Sequence, residues 1–596
     1  MYGVAPVLTL LLHMHQPDYR HPATGVPIMP WVRLHATRGY RDVPRIVTGS
    51  GARVTVNLVA TLTEQVDRYV QGGSDLHLDL CRTPAAALSD AERRWVLDHC
   101  FHGSPRAYSW FPAWGELRRR RDAGDRFTAQ DLRDVQAWCN LAWFGATAIE
   151  DMPELLALRQ KARGFSEDDK GTILAAQSRC LRELRPLYAA LPEVSASPYA
   201  HPILPLLVNT AHARRCMGQI PDPGFAYPRD ALDQLRAGRD RVSNWVGHDV
   251  VGAWPSEGSV SPEVVGMLAE AGFRWFATDE GVLERSDRSG RGPAWQVGPL
   301  VGLFRDRALS DRVGFTYADW PGEKAAEELA SGLGEGGVLV LDGENPWESY
   351  RDAGASFLRA LFARVPTRTC GETARDPTGR VSRLHTGSWI DANFRIWMGH
   401  EEDREAWRQL AAARALLGDD APREAREAMW RAEASDWTWW YGDDFDTPFA
   451  GEFDVLFRAH LRAVYAALGV AYPPSLDRPI KHLHRHVRPP VGDVDPGRDD
   501  HFAWSAAGQL DVTAGSMAPS PGFPSRLRYG WAGRILHLDL DAPGWSLLVG
   551  GREVGGPRVA TEHDRTPVRV QLVAPDGRRW PEGGHYLLPP PVERPE

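Results

Sequence analysis

VLVLDGENPWESY, residues 338–350, runs four apolar side chains directly into Asp342 and Glu344. The apolar run reads as a buried strand, and Gly343, Asn345 and Pro346 read as its end. Side chains alternate along a strand, so Asp342 and Glu344 are expected on one side if extended geometry persists through Gly343. Similar runs recur through the first 345 residues, each closing on polar or Gly/Pro residues: VLTLLLHMH (7–15), ARVTVNLVA (52–60), HPILPLL (201–207), VVGAWPSEG (250–258) and RWFATDE (274–280). Helical stretches such as 128–146 and 262–271 separate them. Strand and helix alternating over this length predict a parallel α/β barrel, whose active site lies at the C-terminal ends of its strands. A helix-rich insertion over about 85–190 carries no strand pattern and is expected to pack outside the barrel.

From 400 to 470 the pattern becomes helical and charge-laced (EEDREAWRQLAAARALL, APREAREAMWRAEA, GEFDVLFRAHLRAVYAALG), as in a small helical bundle. After the Pro-rich RPIKHLHRHVRPPVGDVDPGRDD come RILHLDL, WSLLVGG and VRVQLVA, short alternating runs that predict a β-sandwich. The expected division is therefore a barrel over 1–365 with its insertion, a bundle over 366–483, and a sandwich over 484–596.

Composition narrows the function. Hydrophobic residues make up 43% of the 596, enough for a large core. Lys plus Arg is 69 against 78 Asp plus Glu, a net charge of −9 that speaks against nucleic-acid or anionic-membrane partners. No apolar run has the length of a membrane span, and the N-terminus lacks a basic region and cleavage site, so it is expected as a first strand rather than a signal peptide. The six cysteines (81, 100, 139, 180, 216 and 370) are scattered without a CxxC pair. That placement predicts neither a disulfide framework nor a cysteine zinc site, and suits a cytoplasmic location. The 23 Trp residues fit sugar stacking but are also ordinary core material. No feature indicates an oligomeric state.

Three strand ends offer acids to one surface: Glu257 in WPSEG, Asp279 in ATDEG, and Asp342 with Glu344 in LDGEN. Carboxylates at strand ends are often caps or loop ion pairs. Gathered at a barrel mouth, they repel and raise one another's pKa, which is what a glycosidase needs: one ionised carboxylate and one protonated carboxyl. Glu344, as a like charge beside Asp342, is expected to keep Asp342 protonated, while Glu257 stays ionised if its turn supplies hydrogen bonds. LLHMHQP sets His13 and His15 two residues apart on one face. They read as hydrogen-bonding groups for sugar hydroxyls, with a metal site as the alternative; no metal or other cofactor is expected.

Nine segments in order (LLHMHQP, WVRLHATRGYRD, VNLVATLTEQ, SPYAHPILPLL, GAWPSEGSVSPEV, WFATDEG, LDGENPWE, GSWIDANFRIWMGHEEDREAW and SDWTWWYGDD) resemble family 57 of the glycoside hydrolases, in its α-amylase and amylopullulanase-like branch. The resemblance runs over roughly residues 8–480. It implies a distorted (β/α)7 barrel followed by a helical bundle, and retaining cleavage or transfer of α-glucosidic bonds in starch- or glycogen-type glucans. Glu257 is then the nucleophile and Asp342 the general acid/base. His13, His15, His201, Trp254 and Glu344 match active-site positions, Asp279 becomes a sugar-binding or supporting residue, and Asp436, Trp437 and Trp439 complete the donor side. Phe445 after SDWTWWYGDD and Ala60 in NLVATLTEQ depart from the family pattern. The first puts chain-length preference in doubt. Hydrolysis leads the reading, 4-α-glucanotransfer or branching follows, and a non-catalytic glucan-binding protein or a metal-dependent deacetylase stands apart from it.

Overall fold

The computed structural model describes residues 6–334, 336–442, 444–445, 447 and 449–481. It continues in shorter runs at 487–488, 490, 493–494, 504, 507–512, 524, 526–556, 558–575, 577, 579–580, 586–588 and 590. The chain divides into two compact units. One comprises Met1–Met398, Arg404–Asp436 and Val455–Asp477; the other comprises Gly399–Asp403, Trp437–Asp454 and Arg478–Glu596. The helical segments expected as one bundle are thus shared between them.

The first unit is built on seven parallel strands: β1 (Leu8–Met14), β2 (Thr55–Leu58), β3 (Glu193–Ala196), β4 (Gly252–Ala253), β5 (Trp275–Asp279), β6 (Leu300–Arg305) and β7 (Gly337–Asp342). They pair in the order β7-β1-β2-β3-β4-β5-β6. The Asp306 N–H donates to the Val338 carbonyl at 2.7 Å and links β6 back to β7. All seven residues of β1 are buried, as a strand covered on both faces requires. Helices lie between the strands, among them Gly39–Ser50, Ala60–Val70, Pro228–Val246, Pro262–Glu270 and Gly322–Gly332.

Two expectations are corrected here. HPILPLL is not a strand: Leu204–Val208 is a helix with Pro205 in its first turn, where the ring pre-sets the helical φ. The third strand is instead EVSA at 193–196, four residues with no room for a recognisable pattern. β6, LVGLFR, escaped the sequence reading and follows an antiparallel partner, Ala294–Val297. The sheet also continues beyond 365: Thr367–Arg368 pairs with β1 and Gly379–Arg383 with Ala294–Val297. The insertion between β2 and β3 is helical, ending in the 23-residue helix Glu167–Ala189, and has its own core around Trp114, Trp138 and Phe165.

In the second unit, two antiparallel sheets share one apolar core. Leu527, Tyr529, Leu536 and Leu538 come from one sheet and Leu547, Val568, Val570 and Leu572 from the other. This is the sandwich pattern that period-two alternation predicts. RPIKHLHRHVRPPVGDVDPGRDD lies largely outside the described residues.

Candidate active site

The parallel register sets the site. His13 of β1 pairs with Asp342 of β7 on one side and with Asn57 of β2 on the other, and Asn57 pairs with Ser195 of β3. Four strand ends thus present one row: Asp342, His13, Asn57, Ser195. Asn57 accepts from His13 Nδ1 at 2.7 Å and from Ser197 Oγ at 2.9 Å, and donates to Ser195 Oγ at 3.0 Å. The proton on His13 is therefore on Nδ1, leaving buried Nε2, which has no partner among the described residues, as an acceptor. Burial, reinforced by His15, holds the His13 pKa down to about 3, so the ring is neutral.

His15 and His201 stack beside it, with ring centroids 4.0 Å from each other and 5.6 and 4.9 Å from His13. His15 Nε2 meets both oxygens of Asp436 at 2.8 and 2.9 Å. Ser435 grips His201 twice, through its N–H to the His201 carbonyl at 3.0 Å and its hydroxyl to Nδ1 at 3.1 Å. The adjacent pair Ser435–Asp436 thereby joins the barrel mouth across more than two hundred residues of chain. Donor atoms of His15, His201 and Asp436 lie within 4.8 Å of one another, close enough to hold a cation. His201 has φ +64°, a strained setting for a side chain with a Cβ.

Glu257 shares that feature. Its φ of +56° and ψ of +28° lie in the left-handed region, within the turn that follows β4. The turn is clamped to a distant segment: Val260 and Gly387 exchange backbone hydrogen bonds, and the Trp389 N–H donates to the Glu257 carbonyl at 2.9 Å. The Trp389 indole then donates from Nε1 to Glu257 Oε2 at 2.8 Å. Glu257 Oε1 lies 3.8 Å from His201 Nδ1, and its side chain keeps 15% exposure, enough to meet a ligand. Burial first, then the charges of Asp342 and Asp436, push the Glu257 carboxyl well above the usual range, and the indole N–H pulls the other way. The hydrogen bond expected from the turn's own backbone comes instead from Trp389, one of 23 tryptophans and invisible as a site residue in the sequence.

Asp342 is raised too, and the cause corrects the expectation. Burial does it, opposed by the Asn345 amide at 2.9 Å and by His15 and Arg305. Repulsion from Glu344 has no part. Extended geometry ends at Gly343, whose N–H donates to the His13 carbonyl at 2.6 Å, and Glu344 turns into the interior at 4% exposure. Burial and the Asp342 charge push the Glu344 carboxyl itself well above the usual range.

Two more residues stand back from the opening. Trp254, expected at the active site, is fully buried, edge-on to Trp389 at 5.2 Å. It forms the floor under Gly258, where a Cβ would come within 2.9 Å of the ring. Asp279 is fully buried, ion-paired to Arg305 and Arg307 at 2.7 Å each and accepting the Gly281 N–H. Arg305 lies 4.7 Å from the Trp389 ring centre. Asp279 therefore supports Glu257 through Arg305 and Trp389 rather than facing the opening. Trp437 and Trp439 belong to the second unit, where Trp439 stacks on Phe445 at 4.6 Å.

The Trp389 contact has a measurable consequence. Trp389→Phe removes one N–H donor to a charged group, a contribution of about 1.5–3 kcal/mol, and is expected to lower kcat about 10–100-fold. Because that donor favours the carboxylate, its loss should move the acid limb of the pH–activity profile to higher pH. An acid limb that stays in place would remove Trp389 from this role.

No curated protein matches the chain. Among solved structures, a branching enzyme of the hyperthermophilic archaeon Thermococcus kodakaraensis is 15% identical with a TM-score of 0.48, over 78% of this chain and 90% of that one. A branching enzyme of Pyrococcus horikoshii is 15% identical with a TM-score of 0.47, over 81% and 98%. An α-amylase of Thermotoga maritima is 13% identical with a TM-score of 0.43, over 78% and 93%. Residues 9–375, more than half of the chain, match the model of glycosyl hydrolase family 57, and the chain belongs to that family.

Proposed function

We propose that this enzyme acts on α-1,4-glucans of the starch or glycogen type by double displacement, with Glu257 as nucleophile and Asp342 as general acid/base. One observation carries the assignment. Glu257 and Asp342, drawn from different strands, are both raised by burial, and the Asp342 charge acts directly on Glu257. Two interacting carboxyls titrate as a pair, the first proton lost making the second harder to remove. In this reading Glu257, which accepts the indole N–H, carries the charge, and Asp342 carries the proton.

Glu257 attacks the anomeric carbon as Asp342 protonates the departing glycosidic oxygen. The covalent β-glucosyl-enzyme is then opened by water or a sugar hydroxyl that Asp342 deprotonates, and the α-configuration returns. His13, neutral and with Nε2 free, accepts a hydrogen bond from a sugar hydroxyl; His15 is oriented by Asp436. Trp389 provides an aromatic face beside Glu257.

Hydrolysis is the leading activity, with glucanotransfer as the alternative, because the two differ only in what attacks the intermediate. Incubation with maltoheptaose, glycogen and pullulan separates them. Shorter products alone, with reducing ends rising in step, are the expected outcome. Products longer than maltoheptaose identify a transferase, and new α-1,6 linkages a branching enzyme.

A further inference from the structure

The helical insertion holds a second polar cluster that the carboxylate site does not use. Cys81 lies in helix Leu76–Arg82, Cys100 caps the C-terminus of helix Asp90–His99, and Cys139 lies in helix Ala129–Leu141. Scattered along the chain, the three meet in the fold: their sulfurs lie within 4.8 Å of one another, and Cys81 and Cys139 are 3.7 Å apart. That separation is far from a disulfide bond of about 2.05 Å. It matches the edge of a tetrahedron whose centre lies about 2.3 Å from each sulfur, the zinc–thiolate distance. Spacing along the sequence, the ground on which a cysteine metal site was discounted, does not measure distance in space.

The surroundings are not those of thiols packed as small apolar groups. The Asn140 amide donates to Cys81 Sγ at 3.3 Å and to Cys139 Sγ at 3.2 Å. Buried Arg33 fixes that amide by donating to Asn140 Oδ1 at 2.7 Å, and is itself held by Asp75 at 2.8 Å. An Asp–Arg–Asn relay ending in N–H···S contacts is the arrangement that orients and stabilises thiolate ligands. On the other side, Arg33, His77, His99, His102, Cys139 and Asn140 line a small cavity. It offers a route of entry.

We propose that Cys81, Cys100 and Cys139 bind one thiophilic d10 cation, Zn2+ foremost, with the fourth position of a tetrahedral set left to a non-protein ligand. Binding replaces three S–H bonds by metal–thiolate bonds and releases three protons to solvent, with no change of oxidation state. The ion would tie together three helices of the insertion. Its role is structural, since none of its ligands belongs to the carboxylate site.

The probe is Co2+ added to the full-length, reduced, metal-stripped chain, followed by Zn2+. The expected result is one Co2+ per chain, with thiolate-to-cobalt charge-transfer absorption and the intense ligand-field bands of tetrahedral geometry, all displaced by one equivalent of Zn2+. Asn140→Ala is expected to weaken Zn2+ binding about 10–100-fold while leaving glycosidase turnover in place. Cys139→Ser should abolish the charge-transfer band. If that variant does not fold, the spectrum of the unsubstituted chain still decides. A pale octahedral spectrum, no uptake of Co2+, or a Cys81–Cys139 disulfide in the isolated protein would each overturn the proposal.

Discussion

Glu257→Ala is expected to lose turnover on maltooligosaccharides by a factor on the order of 10⁵, the scale on which deleting an attacking side chain disables covalent catalysis. Azide should restore part of it. The vacated space lies on the face of the sugar that the carboxylate attacks, so azide enters there and the product is the β-glucosyl azide, inverted relative to the α-linked substrate. Folding should survive, because the substitution removes a buried carboxyl that Asp342 and Asp436 both disfavour. A variant that keeps full activity, or one rescued to an α-azide, would displace Glu257 from the nucleophile's role.

Asp342→Asn is expected to cost about 10²–10⁴-fold on natural glucans, the usual contribution of a positioned proton donor. The loss should depend on the leaving group. A substrate whose departing group needs no proton, such as an α-glucosyl fluoride, still forms the glucosyl-enzyme but turns over slowly, so KM falls with kcat as the intermediate accumulates. The basic limb of the pH–activity profile, which reports the proton on the acid, should vanish. The sign follows from burial: Asp342 is held above the usual carboxylate range, stays protonated further up the pH scale, and activity is lost as pH rises through its pKa. A loss equal for fluoride and for maltooligosaccharide would place Asp342 outside the proton transfer.

Much of the first unit is legible in the chain because its physics is local. LLLHM, VTVNL and VLVLD are short, mainly apolar runs, and such runs suit strands buried on both faces in a parallel sheet with helices around it. The same strands carry His13, Asn57 and Asp342 at their C-terminal ends, and parallel pairing aligns them in one row. Where the pattern was too short it misled. EVSA and the two residues of β4 give no period to read, and HPILPLL is apolar enough for a strand although Pro205 starts a helix.

The roles of single side chains depend on contacts between residues far apart in sequence, and there local chemistry is silent. Asp279 stands at a strand end as Asp342 does, yet two arginines seal it while Asp342 stays at the opening. Glu344 sits two residues from Asp342, but a turn at Gly343 sends it inward, where burial raises its pKa. Trp389 is 132 residues from Glu257 and reaches it only because the Val260–Gly387 bridge brings the two segments together. The apolar pattern was sufficient for the longer strands and helices and for the strand ends at His13, Asn57 and Asp342, since burial patterns act over a few residues. Which carboxyls meet water, how far burial raises each, and which aromatic ring holds Glu257 were fixed by desolvation and hydrogen bonding across the folded chain, quantities that exist only once distant segments are in contact.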